Sequence, residues 1–207
     1  MKKSEETKTK ILTAAEKLFL TKGYETVTMR EIAKYADCSH TTIYLYFSDK
    51  EALLLDISTP YLEKLKSELQ AIHVDPSIDQ ERRVKEMCLA FIHFGIDNQG
   101  MYTLFMVTDS SRVDEQPEKK INQIRLQLFL LLTDALRSVL HVTDEDKLLL
   151  YTRILFFYVH GCISTYSMSK ESSASLWLRL SGTFNTGVHT LLKGFKEEVG
   201  REKTHET

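Results

Sequence analysis

The stretch Ser39-His40-Thr41-Thr42, with phenols following at Tyr44 and Tyr46, gathers small hydroxyls, an imidazole and aromatic donors into eight residues. These side chains can exchange hydrogen bonds with base edges, and a threonine methyl can touch a thymine. Tyrosine hydroxyls can donate to phosphates, and the rings can stack on sugars. Lys50 falls in the first turn of a following helix, where its charge and nearby backbone amides can both meet a phosphate. Thr28 stands at the start of an earlier helix in the same way, and Arg30 is long enough for a phosphate or a guanine edge. The chemistry implied is non-covalent reading of a duplex. Purely structural readings stand beside it. Ser39 is also a helix cap, and Tyr46 is equally suited to packing on the first helix. Cys38 is better read as a small core residue of a turn than as a redox sensor, because the neighbouring Asp37 disfavours a thiolate.

Catalysis has no comparable support. GxxxxGK[ST], GxGxxG, HExxH and GxSxG are all missing, so neither catalytic residues nor cofactors are expected. His93 and Asp97, four apart, could hold a metal, but no third ligand stands with them and a solvated or core pair is the better reading.

The elements that position these residues are helical. The chain has 207 residues, 43% of them hydrophobic and 27% charged, with only three prolines and eight scattered glycines. That sparse punctuation argues for long helices over a many-turned β protein. Three cysteines without a CxxC fit a reducing cytoplasm. The charged N-terminus leads into an amphipathic segment and does not read as a signal peptide. No apolar run is long enough to suggest a membrane span, so no membrane partner is expected. Residues 1–50 carry nine Lys/Arg against seven Asp/Glu, whereas the whole chain has a net charge of −2. The contrast permits a nucleic-acid contact at the N-terminal end without requiring one.

Ile11, Ala14, Ala15, Leu18 and Phe19 repeat on a 3.6-residue period, and Gly23 follows where a left-handed residue ends a helix. Thr28 with Glu31 makes a capping box for a second helix, with Ile32, Ala33 and Ala36 inward. Ser39 caps a third helix with Ile43 and Phe47 inward. Between these two helices Asp37 occupies the place glycine often takes, and must tolerate a left-handed or bridging backbone. Ser48 with Glu51 predicts another capping box, opening a fourth helix with Leu53, Leu54 and Ile57 inside. Pro60 predicts either a kink near Asp56 or a new start capped by Thr59. Further helices are predicted over about 79–97, 118–140, 144–168 (capped by Thr143) and 173–195 (capped by Ser172 or Ser173). Breaks fall at 73–79 and 97–100, a loop at 109–120, and a frayed tail follows.

The segment ILTAAEKLFLTKGYETVTMREIAKYADCSHTTIYLYFSDKEALL resembles the DNA-binding domain of the tetracycline-repressor (TetR) family. The resemblance lies in AA…LF…G of the first helix, T…IA of the second, and IY-x-YF-x-x-KE-x-L of the third and fourth. It covers about 45 residues; the remainder agrees only in length and helical layout. Ala36-Asp37-Cys38 departs from a common Ala-Gly-Val, and His40-Thr41 departs where a small residue and glycine often stand, so no operator sequence carries over. The resemblance implies an all-α fold of about nine helices. Its first unit, 1–50, would be a three-helix helix-turn-helix domain. Its second, 51–207, would be a ligand-binding and dimerisation domain. It further implies a double-stranded DNA operator, a small-molecule effector of unknown identity, and a repressor or activator role.

Two features of the C-terminal half agree with this. Leu155, Val159, Cys162 and Tyr166 on one helix, and Leu180, Phe184, Gly187 and Leu191 on the last, make apolar faces that a chain this short cannot cover alone. Pairing with a second copy would cover them. Tyr61, Met87, Phe91, Tyr102, Phe105 and Phe129 form an aromatic and methionine-rich middle. By spacing it reads as core; by the resemblance it would line the effector cavity.

Overall fold

The computed structural model describes residues 2–106, 108 and 117–205. Among these the chain forms nine α-helices and no strand: α1 (Lys2–Lys22), α2 (Met29–Tyr35), α3 (His40–Tyr46), α4 (Lys50–Val74), α5 (Gln80–Asp97), α6 (Gln99–Met106), α7 (Lys120–Leu140), α8 (Glu145–Tyr166) and α9 (Ser173–His205). Most of the predicted loop at 109–120 lies outside the described residues.

The N-terminal head is built from short-range signals. Ile11, Ala14, Ala15, Leu18 and Phe19 are all buried, so the α1 stripe is its inner face. The Gly23 amide donates to the Phe19 carbonyl at 3.0 Å with φ at +85°, a conformation that penalises any side chain. The Thr28 hydroxyl accepts from the Glu31 amide at 3.2 Å, and the Glu31 carboxylate accepts from the Thr28 amide at 3.0 Å. Lys22 sits 3.0 Å from the same carboxylate, and with the Thr28 bonds it holds Glu31 below the usual carboxylate range. Asp37 takes φ +52°, as expected of the turn, and the Cys38 amide reaches back to the Ala33 carbonyl at 3.0 Å. Ser39 caps α3, accepting from the Thr42 amide at 2.9 Å.

Several predicted boundaries shift. Asp49, not Ser48, caps α4, accepting from the Ala52 amide at 2.8 Å, while the Ser48 hydroxyl donates to Asp49. Asp144, not Thr143, caps α8, accepting from Asp146 at 3.0 Å and Lys147 at 3.2 Å. A carboxylate at the first turn answers both the orphan amides and the helix dipole, which a hydroxyl one residue earlier does not. Pro60 lies inside α4, which runs unbroken past it, so Thr59 caps nothing; its hydroxyl donates back to the Leu55 carbonyl at 2.6 Å. The break at 97–100 shrinks to Asn98 alone. Instead of fraying after 195, α9 continues to His205, with Leu192, Phe195 and Val199 buried. Lys196 (2.5 Å) and Lys85 (2.8 Å) converge on Glu81, drawing its carboxyl down to about 2 and tying α9 to the first turn of α5.

In the body, α4, α5 and α7 pack on one another, α8 covers α5 and α7, and α9 lies along α5 and α8. One correction concerns α8, which is long and apolar enough by length and composition to cross a membrane. Here Leu148, Leu155, Val159 and Ile163 are buried in the core of the body instead. α6 touches α1, α4 and α5, so it stands where head meets body. Lys8 of α1 pairs with Asp56 of α4 at 2.7 Å across the same junction.

Candidate nucleic-acid interface and effector core

The outward surface of the head is set by which side of α3 is buried. Ile43 and Phe47 are in the core; Ser39, His40, Thr41 and Tyr44 are exposed. Thr42 and Tyr46 are half-buried, and both hydroxyls are engaged. Thr42 Oγ1 lies 2.7 Å from Ser39 Oγ, and the Tyr46 hydroxyl donates to Ser4 Oγ of α1 at 3.2 Å. The packing alternative considered for Tyr46 is therefore present. His40 and Tyr44 meet edge-on with ring centroids 5.1 Å apart, so they present one composite polar edge. Arg30 and Lys34 of α2 line a shallow depression with Ser39 and His40, placing two cations beside the α3 surface.

Lys50 is placed differently from its expected role. Its ammonium donates to the Tyr24 carbonyl at 2.7 Å and the Glu25 carbonyl at 3.2 Å, and sits 4.4 Å above the Tyr24 ring. It closes the connection after α1, and its charge is engaged within the chain. Thr28 is exposed, with its hydroxyl held in the capping box. Burial, then the Asp37 charge, pushes the Cys38 thiol up, away from thiolate chemistry. One apolar residue escaped the sequence reading: Leu45, 79% exposed on the outer side of α3.

Of the six residues expected to line an effector site, Phe91, Tyr102 and Phe129 gather round Phe156 and His160, Tyr61 and Phe105 form a second pair, and all six belong to or pack against the chain's hydrophobic core. Met87, Phe91, Tyr102, Phe105 and Phe129 are buried and Tyr61 is half-buried. Tyr61 packs on Phe105 with centroids 4.8 Å apart, and Phe129 meets Phe156 at 5.6 Å. Two polar partners were missed. The Tyr102 hydroxyl lies 2.9 Å from His160 Nδ1, with Phe156 4.5 Å from the imidazole. Arg125 is buried and donates from Nε to the Phe105 carbonyl at 2.6 Å, from Nη2 to the Thr108 carbonyl at 3.0 Å, and from Nη1 to Asn122. It staples the end of α6 to α7. Burial, then the Arg125 charge, lowers His160 to about 4, and burial raises the Tyr102 phenol. Arg125 stands at the inward register of α7, four residues after Ile121, where it interrupts the apolar stripe.

The predicted pairing residues divide. Leu155, Val159 and Phe184 are buried inside this one chain, so they cannot form an outer surface. Cys162, Tyr166, Leu180 and Leu191 are half-buried, and Gly187 is partly covered by its own chain. Gly187 makes room for the Tyr158 hydroxyl, which donates to the Phe184 carbonyl at 3.1 Å. The face left outward on α8 is Leu150, Ile154, Phe157 and Gly161, with Leu178 and Gly182 outward on α9. His93 and Asp97 lie 3.7 Å apart, and the His93 ring packs on Trp177. Among the described residues no three His, Cys, Asp or Glu side chains gather to hold a metal.

The family described as "Bacterial regulatory proteins, tetR family" matches residues 11–57, which run from the middle of α1 into the first turns of α4. This segment belongs to the TetR family. Among the chain's relatives is an uncharacterized helix-turn-helix-type regulator, YuxN of Bacillus subtilis (strain 168), 29% identical over 160 residues, covering 75% of this chain and 52% of YuxN. EthR of Mycolicibacterium smegmatis is 31% identical over 75 residues, covering 36% of this chain and 35% of EthR. The chain spans about half the length of the first curated relatives it matches. These relatives are named as regulators, not enzymes. Solved structures share the family fold over both halves. PfmR of Thermus thermophilus has a TM-score of 0.64 at 20% identity, covering 88% of this chain and 93% of that one. FadR of Bacillus subtilis, in complex with stearoyl-CoA, has 0.61 at 20%, covering 90% and 98%.

Proposed function

We propose that this chain is a cytoplasmic, sequence-specific DNA-binding transcriptional repressor. It acts as a homodimer on a palindromic operator and is released by a small molecule. Residues 1–50 form its reading head, and 51–207 its effector-binding and pairing body. The observation that carries the proposal is the outward surface of α3, where His40, Thr41 and Tyr44 stand clear of the head beside Arg30 of α2. A short helix presented in this way enters the major groove with donors and acceptors at base-edge distance. Thr28 and Lys50 shape the head more than they extend its contact surface.

The effector site is the core around Tyr61, Met87, Phe91, Tyr102, Phe105 and Phe129, with the Tyr102–His160 pair as its polar anchor. An apolar molecule carrying one polar head suits these walls. Long-chain acyl-CoA is the first probe to try, since the FadR neighbour was solved with stearoyl-CoA. α6 carries Tyr102 and touches α1, so an occupant of the core has a direct mechanical route to the head.

Selection of bound fragments from random DNA at moderate salt, repeated with candidate effectors, tests the proposal. An inverted-repeat consensus, lost on adding an effector, is expected. A helical binding module without DNA contact is the rival reading, favoured if nothing enriches and if Thr41→Ala and Tyr44→Ala change no DNA affinity.

A further inference from the structure

We infer that Leu45, with Thr41, reads the 5-methyl groups of thymine in each operator half-site and so sets the specificity of α3. This rests on the DNA-binding reading above. Successive residues of a helix turn by about 100°. From the fully buried Ile43, residues Thr41 and Leu45 therefore lie about 160° round on either side, at the pole facing directly away from the head. The two flanks of α3 are accounted for: Thr42 and Tyr46 are bonded to Ser39 and Ser4, and His40 and Tyr44 pair with each other. The pole is different. Leu45 is 79% exposed and Thr41 is exposed, and at i, i+4 they form one ridge of a methyl and an isobutyl group.

A recognition helix turns the side opposite its own core toward the groove floor. Nearly everything there is a donor or an acceptor, which leucine cannot answer. The apolar feature of the major groove is the C5 methyl of thymine. An apolar ridge at the pole of α3 thus selects thymine where it lands, while His40 and Tyr44 are left to read polar edges beside it.

Removing only those methyls provides the test. A duplex is recovered by selection with the full-length chain, then remade with each thymine replaced singly by deoxyuridine, and affinity is read by fluorescence anisotropy at fixed salt. At one or two positions per half-site deoxyuridine should weaken binding roughly fourfold per methyl contacted. Leu45→Ala should bind the thymine duplex more weakly and lose the deoxyuridine penalty at the position Leu45 contacts, keeping only the part that Thr41 supplies. Wild-type protein that binds the thymine duplex and tolerates deoxyuridine everywhere overturns the inference. So does a Leu45→Ala variant that keeps the full deoxyuridine penalty. Failure of any duplex to enrich overturns the DNA-binding reading itself and the inference with it.

Discussion

His160 is an imidazole kept neutral by what surrounds it. Phe156 packs on its ring, Tyr102 of α6 bonds its edge, and Arg125 of α7 stands close enough to repel a second positive charge. Its value falls to about 4 against an ordinary 6.5. Above pH 6.5 the group is neutral both folded and unfolded and contributes nothing to the pH dependence. Below that, the unfolded chain takes up a proton the folded chain refuses, so stability should fall as pH drops from 6.5 to about 4. The loss should be on the order of 2 kcal/mol. Urea midpoints at pH 7 and 4.5 for wild type and His160→Gln check this: the variant should lose less on acidification. An equal loss would place the acid sensitivity elsewhere. Tyr102 was legible as a core aromatic, but His160 and Arg125 were not, because a polar residue within an apolar stripe reads as an interruption. Its buried partners come from helices distant in sequence. Leu45 was passed over for the opposite reason: an apolar residue among hydroxyls suggests core until the wheel of α3 is anchored on Ile43.

At the scale of the element, periodicity carried nearly everything. The inner faces of α1, α2, α3 and α4 are the residues their spacing selects. The starts of helices were less legible. Where a hydroxyl precedes an aspartate, as in Ser48-Asp49 and Thr143-Asp144, either residue satisfies the local pattern, and the carboxylate won both times. Asp49 also lies below its ordinary range, first through the Ala52 amide and then through Ser48, as a cap engaged in its charged form should. Asp49→Ala should therefore cost about 1 kcal/mol, and Ser48→Ala a few tenths. Chemical denaturation of both variants decides this, and a larger loss for Ser48→Ala would make the serine the cap. The end of α9 is hidden in the sequence by its charged tail, although the apolar stripe runs on through it. Leu192, Phe195 and Val199 continue the period, and Lys196 finds Glu81 across the body. That last contact joins residues 115 apart and leaves no local trace.

For the whole molecule, the fold class followed from helical periods and the head from its motif spacing, but three of the residues expected to pair, Leu155, Val159 and Phe184, are buried within the chain. The stripe through Leu155 and Val159 is the most apolar face of α8, and the chain's own core takes it first. What remains outward is a second stripe, Leu150, Ile154 and Phe157, at i, i+4 and i+7, continued by Gly161, which has nothing nearby to limit close approach. Leu178, 86% exposed, and Gly182, equally open, stand outward on α9. A second copy related by a twofold axis would bury both strips, and a lasting interface of this kind covers upwards of ~2,000 Å² in total. Phe157 is 62% exposed, so Phe157→Arg removes little from the subunit while placing a charge at the centre of that contact. Wild-type protein should sediment as two chains and melt at a temperature that rises with concentration, because pairing stabilises the fold by mass action. Phe157→Arg should sediment as one chain, keep its helical circular dichroism, melt independently of concentration, and bind a full operator no better than a half-site. A variant that stays dimeric would move the pairing surface away from the outer face of α8.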